Sequence, residues 1–402
     1  YVILAPRQVK SVRSLHSDGP WTDVTGERID PREPYLVRLP SGRSIAAFFY
    51  DGSISKSVAF EGLLHNGEGF ANRLLGGFDD RTGPQLLHIA TDGETYGHHH
   101  RRGDMALSYA LWHMQRNKLA KITNYGQFLE LCPPTKEVQI IEQTAWSCEH
   151  GVGRWYRDCG CNSGMKGNWG QAWRGPLRQA FDQLRDTVAT PYEDLMKQFT
   201  TEATPESTWA MRNDYIELVE DRTLANIEKF LKKWCGDRVL SDAEVTLVLK
   251  AMEAQRHLLL MYTSCAWFFD EVSGVETVQN MQYAFRALEL CESIFNIPLV
   301  DAFASELRKA PSNIPELKTA EEAFKRYVVP SRVDTLQVGI HFAIASIFEQ
   351  FAEQNELYNS KITLVDFKSV TSGKAHMVYG HARIRARTTL ERHQIVFGVI
   401  HM

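Results

Sequence analysis

Residues 84–102, PQLLHIATDGETYGHHHRR, decide how the rest of the chain is read. Leu86, Leu87, Ile89 and Ala90 make a short apolar run of the buried-strand type, broken only by His88, so a strand is expected over 86–90. The run stops at Thr91-Asp92-Gly93-Glu94 and is followed by His98, His99 and His100. A buried strand that opens into two carboxylates, a glycine turn and consecutive imidazoles has the pattern of a barrel strand delivering catalytic groups at its C-terminal end. The plainer alternative is a polar turn closing a core strand. Acids and imidazoles crowded this densely favour the functional reading.

Outward from that stretch, residues 1–190 alternate strand-like and helix-like patterns, which predicts βα units and a mixed α/β fold. Strands are expected over 2–5, 44–50 (SIAAFFY, ending at the acid Asp51) and 138–141. Helices are expected over 55–64 and 104–116, the second with apolar spacing at Met105, Leu107, Tyr109, Leu111 and Trp112. Residues 18–45, rich in Pro and Gly, read as loops. Residues 146–174 form a long glycine-rich loop with Trp146, Trp155, Trp169 and Trp173; loops of this length inside a domain are usually functional, although its own aromatics could simply pin it down.

Beyond Pro176 the period becomes helical, with helices expected over 177–185, 209–234, 242–267, 275–295, 299–307 and 336–351. Ser241/Glu244 and Ser273/Glu276 have capping-box spacing. From Lys361 the period becomes two, the start of an antiparallel β region. The expected organisation is therefore 1–190 partial (β/α) barrel, 191–355 helical bundle and 356–402 the start of a β domain. Strand-like runs at Tyr1 and at 394–402 suggest a segment of a longer protein, truncated at both ends.

Composition narrows the function. The 402 residues carry a net charge of −4, which gives no electrostatic case for nucleic acid or an anionic membrane. Seven cysteines, mostly scattered, fit a reducing, cytoplasmic setting better than a disulfide framework. Nine Trp, 14 Tyr and 20 Phe are either core or platforms for flat apolar faces such as sugar rings.

Several residue sets could carry chemistry. Glycoside hydrolysis needs two carboxyl groups flanking the glycosidic oxygen, and Asp92 and Glu94 could be that pair, or one could be catalytic and the other orient it. His98 and His99 could bind sugar hydroxyls or, with the acids, a metal. Cys148-x-His150 and Cys159-x-Cys161 offer four soft ligands of the kind that hold tetrahedral zinc, but the one-residue spacings are tighter than usual; a disulfide and unligated thiols stand beside that reading. Trp267 and Asp270, in Trp-Phe-Phe-Asp270-Glu271, could sit over a barrel mouth or pack into the core.

These residues carry a family likeness. Ala90-Thr-Asp-Gly-Glu-Thr-Tyr-Gly97-His98 resembles the fourth signature of glycoside hydrolase family 57, in which the aspartate matching Asp92 is the catalytic acid/base. Tyr50-Asp51-Gly-Ser-Ile-Ser55 with Val58-Ala-Phe60 resembles the strand end and following helix of that family. Leu260-Met-Tyr-Thr-Ser-Cys-Ala-Trp267-Phe sits where its fifth signature lies, with Ala266 where members often carry aspartate, so that Asp270 is the substitute. The stretches WSCEHGVGRW, DCGC and WFFDEVSG resemble a bacterial subgroup whose C-terminal part is domain of unknown function 3536.

The resemblance covers nearly the whole chain. It implies a retaining enzyme on α-glucans or oligosaccharides, needing no cofactor, with an incomplete (β/α)7-type barrel and a helical domain. Asp92 would be the acid/base; Glu94, Asp51, His98 and His99 would orient it or bind sugar; Trp146, Trp155, Trp173 and Trp267 would stack on sugar rings, with Asp270 a further contact. The family's nucleophilic glutamate lies upstream of Tyr1, so this segment alone is expected to be inactive. Two other readings remain: a non-catalytic glucan-binding or regulatory protein on the same scaffold, and a metal-dependent hydrolase using the histidines and acids.

Overall fold

Short β-branched and aromatic runs at the start of the chain pair into a mixed sheet. Its strands are β1 (Val2–Leu4), β2 (Val9–Ser14), β3 (Thr22–Asp23), β4 (Tyr35–Arg38), β5 (Ser44–Phe49) and β6 (Lys136–Ile140), in the order β1-β5-β4-β6-β2-β3. The structure is a computed structural model that describes residues 1–17, 19–164 and 166–402, so Asp18 and Met165 lie outside the account. The described residues divide into two units, Tyr1–Val152 and Gly153–Met402. The boundary expected near residue 190 falls inside a helix of the second unit.

In the first unit, β1 and β5 run parallel, with Val2 opposite Ala47 and Leu4 opposite Phe49. β4 touches β6 in parallel at Leu36 and Glu137, whereas the β4·β5, β2·β6 and β2·β3 pairs are antiparallel. The stretch read as loop over 18–45 thus supplies β3 and β4. Alternation along β5 sorts its side chains: Ala47 and Phe49 join Val9, Tyr35 and Val138, while Phe48 packs with Leu86 and Phe128. Helices α1 (Gly52–Phe60), α2 (Gly67–Leu75) and α3 (Gly103–Arg116) share a core of Ile54, Val58, Phe70, Ala106, Ala110 and Met114; α4 (Tyr125–Leu131) lends Phe128.

Two expectations change here. Residues 86–90 form no sheet strand. Three bonds of their backbone hold them instead: Leu86 N–H to Arg32 O (2.9 Å), Asp51 N–H to His88 O (2.9 Å) and Ala90 N–H to the Ser55 hydroxyl (3.1 Å). In α3 the buried positions are Ala106, Ala110 and Met114; Met105, Tyr109 and Trp112 are 64%, 40% and 51% exposed. Of the apolar positions that mark this helix in the sequence, Leu107 and Leu111 pack against the core, and the small Ala106 and Ala110 let the helix approach its neighbours.

The second unit is a helical assembly followed by a sheet. Its helices are α5 (Arg174–Met196), α6 (Pro205–Asp214), α7 (Ile216–Glu220), α8 (Leu224–Cys235), α9 (Asp242–Leu260), α10 (Val275–Phe295), α11 (Val300–Leu307), α12 (Ala320–Ala323) and α13 (Thr335–Ala345). The helix expected over 209–234 is divided into three, because Asp221 takes an extended backbone and Thr223 caps a fresh start by accepting from Asn226 N–H. α9 stops short of Trp267. Asn280 of α10 donates its amide to Met261 O (2.8 Å) and Thr263 O (2.9 Å), satisfying carbonyls that the helix end leaves open. The Ser241/Glu244 capping box forms; at the second site Gly274 is the cap and Ser273 bonds Glu271 instead.

The last part of the chain is the antiparallel region expected from Lys361. Strands β7 (Gln354–Leu357), β8 (Ser360–Ser372), β9 (Ala375–Ala386) and β10 (Arg392–His401) lie in the order β10-β9-β8-β7, and α13 seats Val338 and Phe342 on Ile362, Ala382 and Ile384. No helix of the described residues is long and apolar enough to cross a membrane.

Candidate functional site

In the first unit the motif region is built from the end of β5 and the irregular segment before Asp92. Asp51 closes β5 and starts α1, its Oδ1 accepting from Ile54 N–H at 2.8 Å. This is an N-cap, which stabilises a helix by about 1 kcal/mol. His88 is wedged between two partners: Nε2 lies 3.0 Å from Pro31 O, and Nδ1 lies 3.0 Å from the Tyr125 hydroxyl. A carbonyl only accepts, so Nε2 carries the proton and Nδ1 accepts from the phenol. Burial pushes the His88 imidazole down to about 4, leaving it neutral at pH 7.

Asp92 follows as the residue before a single 3-10 turn, Gly93–Tyr96. It is exposed, and its carboxylate does not cap that turn. Glu94 is exposed as well, with Oε2 3.8 Å from His99 Nε2. The three histidines diverge: His98 and His99 stay exposed with ring centres 5.5 Å apart, while His100 turns inward and Nε2 donates to Ala59 O at 2.9 Å. Thr91 donates to the Tyr96 hydroxyl at 3.1 Å, bracing the turn. Among the described residues, no three donors gather around these histidines and acids as an ion would need.

The tryptophans separate by environment. Trp146 is 60% exposed, and its carbonyl accepts from Arg7. Trp155 is half-buried against the helical core. Trp173 and Trp267 are fully buried and stack on each other, with centroids 6.1 Å apart and planes 17° apart. Those two have no face for a sugar ring, which corrects the expectation made for them; they belong to the core because their rings fill the space between α5 and the end of α9.

Asp270, expected to touch substrate, is also buried, at 2% exposure. Its carboxylate accepts from Ser163 N–H (3.0 Å), the Ser163 hydroxyl (2.6 Å) and Gln171 Nε2 (3.2 Å). Its carbonyl accepts from Trp173 Nε1 at 3.0 Å and Asn313 Nδ2 at 2.7 Å. Neighbouring Glu271 accepts from the Ser312 hydroxyl (2.6 Å) and Asn313 N–H (2.7 Å). Both acids are committed to holding loops, as buried carboxylates must be.

One predicted set does converge. The ligand atoms of Cys148, His150, Cys159 and Cys161, all on one continuous loop, lie within 4.8 Å of one another. Cys148 is buried, Cys159 and Cys161 half-buried and His150 exposed. Gly151 (φ 74°) and Gly160 (φ 79°) supply left-handed turns beside the ligands. Arg174, fully buried, donates through Nη1 to Cys161 O at 3.0 Å and stands 4.0 Å from Cys159 Sγ. Sequence reading passed over Arg174, Tyr125 and Pro31, because the partners lie far from each other along the chain and none belongs to a motif.

Residues 169–402 match the model of a family described as Domain of unknown function (DUF3536). The resemblance placed that domain in the C-terminal part, and the match falls there. No curated protein matches the chain.

Proposed function

The chain belongs to the DUF3536 family, whose model takes in more than half of its residues, and from that premise we propose that it is part of a retaining α-glucan-active glycoside hydrolase or transglycosylase with Asp92 as general acid/base. The observation that carries the reading is the state of Asp92: a carboxylate on an anchored turn that is exposed and that the fold does not spend on a cap. It agrees with the likeness of residues 90–98 to a family 57 signature.

In this reading Asp92 protonates the departing glycosidic oxygen and then deprotonates the incoming water or sugar hydroxyl. A bound sugar ring covers the carboxyl and supplies the desolvation that a general acid needs. Glu94, His98 and His99 hydrogen-bond sugar hydroxyls around it, Asp51 offers the oxygen not used for capping, and Trp146, whose ring is exposed, stacks on a sugar face. The parallel β1–β5 pair, with Asp51 at the end of β5, supports an incomplete (β/α)7-type barrel. The nucleophile is the glutamate that the resemblance places upstream of Tyr1; the partner is an α-glucan, in the cytoplasm, with no nucleic acid or membrane involved.

The test uses the polypeptide extended upstream to carry that glutamate. α-1,4-Glucan turnover is followed for wild type and Asp92→Asn, and a loss of roughly 10²–10⁴ is expected for the variant. A second reading, a glucan-binding protein without turnover, is favoured by the burial of Ala266 and Trp267, which removes the fifth-signature pair from any surface. Binding by both proteins with turnover by neither would decide for it.

A further inference from the structure

We propose that Cys148, His150, Cys159 and Cys161 hold one zinc ion in a closed, structural site that fixes the loop running from Cys148 to Cys161. The inference is independent of the glycosidase reading.

Geometry carries it. In a tetrahedral site with Zn–S of about 2.3 Å and Zn–N of about 2.0–2.1 Å, neighbouring donors stand about 3.5–3.8 Å apart. The four donors are already within 4.8 Å of one another, so closing on an ion requires shifts of about an ångström, mostly side-chain rotation. Three sulfurs and one imidazole nitrogen are the donors of the Cys3His class of structural zinc site.

The close spacing has a structural answer. Residues two apart on an extended strand share a face but sit about 7 Å apart, too far for one ion. Gly160, at φ 79° and with its N–H bonded to the Asp158 carboxylate (3.1 Å), bends the chain between Cys159 and Cys161 so that both sulfurs face one point. On the other side, an isolated bridge between Ala145 and Cys148 folds the chain back, and Gly151 takes a left-handed turn after His150. A side chain at Gly153 would meet Cys159 Cβ at 3.2 Å, so this glycine lets the two ligand pairs close on each other.

Charge agrees with geometry. A zinc ion with three thiolates and a neutral imidazole carries one net negative charge. The guanidinium of Arg174, 4.0 Å from Cys159 Sγ and bonded to Cys161 O, is placed to balance it. Arg154, 5% exposed and bonded to Phe268 O at 2.9 Å, adds a second buried cation on the same loop. Ser163, two residues past the last ligand, is clamped by Asp270. Such outer partners orient ligands and tune thiolate charge. Binding releases the three thiol protons to solvent and involves no change in oxidation state.

The chain, purified under reducing conditions with zinc present and then freed of loose metal, is assayed by elemental analysis. About one equivalent of zinc is expected in wild type and in a Cys265→Ser control, and almost none in a Cys159→Ser/Cys161→Ser double variant. Should that variant fail to fold, wild type alone remains informative. Replacement of zinc by Co(II) gives the intense visible bands and thiolate charge-transfer band of a tetrahedral sulfur-rich site, and His150→Cys keeps the metal while moving those bands. Zinc-free wild type, zinc retained undiminished in the double variant, octahedral cobalt spectra, or a Cys159–Cys161 disulfide in reduced-cell extracts overturns the proposal.

Discussion

At the scale of single residues the molecule holds several buried ionisable groups whose bonding predicts how it responds to pH. His88 and His257 are both pushed by burial down to about 4. A base whose folded value lies below its unfolded value of about 6.5 favours the neutral folded form, so its contribution is fully present above pH 6.5 and is lost as pH falls toward 4. By pH 5 each histidine should cost about 2 kcal/mol relative to neutrality. Denaturant unfolding at pH 7 and pH 5 measures this: His88→Gln and His257→Gln should each reduce the pH dependence by that amount, and an unchanged slope would sink the assignment. Glu253 acts in a lower window. The Tyr215 hydroxyl at 2.5 Å and Arg222 at 2.7 Å hold its carboxyl below the usual value against the penalty of burial, so its contribution is lost only as pH falls beneath about 4.5. Asp270 makes a different prediction. Replacing it by Asn swaps one accepting oxygen for a donor facing N–H and O–H groups. A loss of about 1–3 kcal/mol is expected, with faster proteolysis of the loop around Ser163. A substrate contact would instead leave stability unchanged and weaken glucan binding.

Elements show how local backbone and packing choices were or were not readable. Gly151 and Gly26 both lie in the left-handed region, at φ 74° and 72°. A Cβ on Gly151 would meet Gln143 O at 2.6 Å, whereas one on Gly26 would meet nothing within 4 Å. Gly26→Ala should therefore cost only the backbone term of about 1–2 kcal/mol. Gly151→Ala should cost clearly more, and the difference in unfolding midpoint isolates the clash. In α3 the expectation runs against size: Trp112→Ala should change stability by less than about 0.5 kcal/mol, while Met114→Ala should cost about 2 kcal/mol or more. Periodicity named α3 correctly, but its apolar positions divide: Leu107 and Leu111 pack against the core, while Met105, Tyr109 and Trp112, also apolar and three to four residues apart, face outward. The exposed aromatics are partly covered by their own helix, with Arg116 over Trp112 at 5.3 Å. A strong cap made a helix start readable: α9 begins at Asp242, directly after Ser241, although it ends at Leu260 rather than at 267. The segment 86–90 was misread because apolar composition reports burial, not pairing. It packs through Leu86 against Phe48 and Phe128, with Ser55, Arg32 and Asp51 as its hydrogen-bond partners.

Across the whole molecule, the same distinction separates the candidate site residues. Those flanked by polar, turn-forming neighbours, Asp92, Glu94, His98 and His99, lie on the surface. Those flanked by aromatics, Trp173, Trp267 and Asp270, went into the core, where Asp270 was retained because Ser163 and Gln171 satisfy it. No spacing rule in the sequence encodes a hydrogen bond between residues a hundred positions apart. The distribution of apolar clusters leads to the last prediction. Trp173, Phe181, Trp267, Phe303 and Phe324 share one large cluster in the second unit, while the apolar residues of the first unit form smaller ones such as that around Tyr35 and Phe49 and that around Phe70. Cooperativity follows shared packing, so each unit should melt as its own transition, the first unit at the lower temperature. Calorimetry should resolve two peaks, or a calorimetric enthalpy well above the van't Hoff value. Met114→Ala should lower only the first peak and Asp270→Asn only the second. A single peak displaced equally by both variants would mean that the two cores unfold as one.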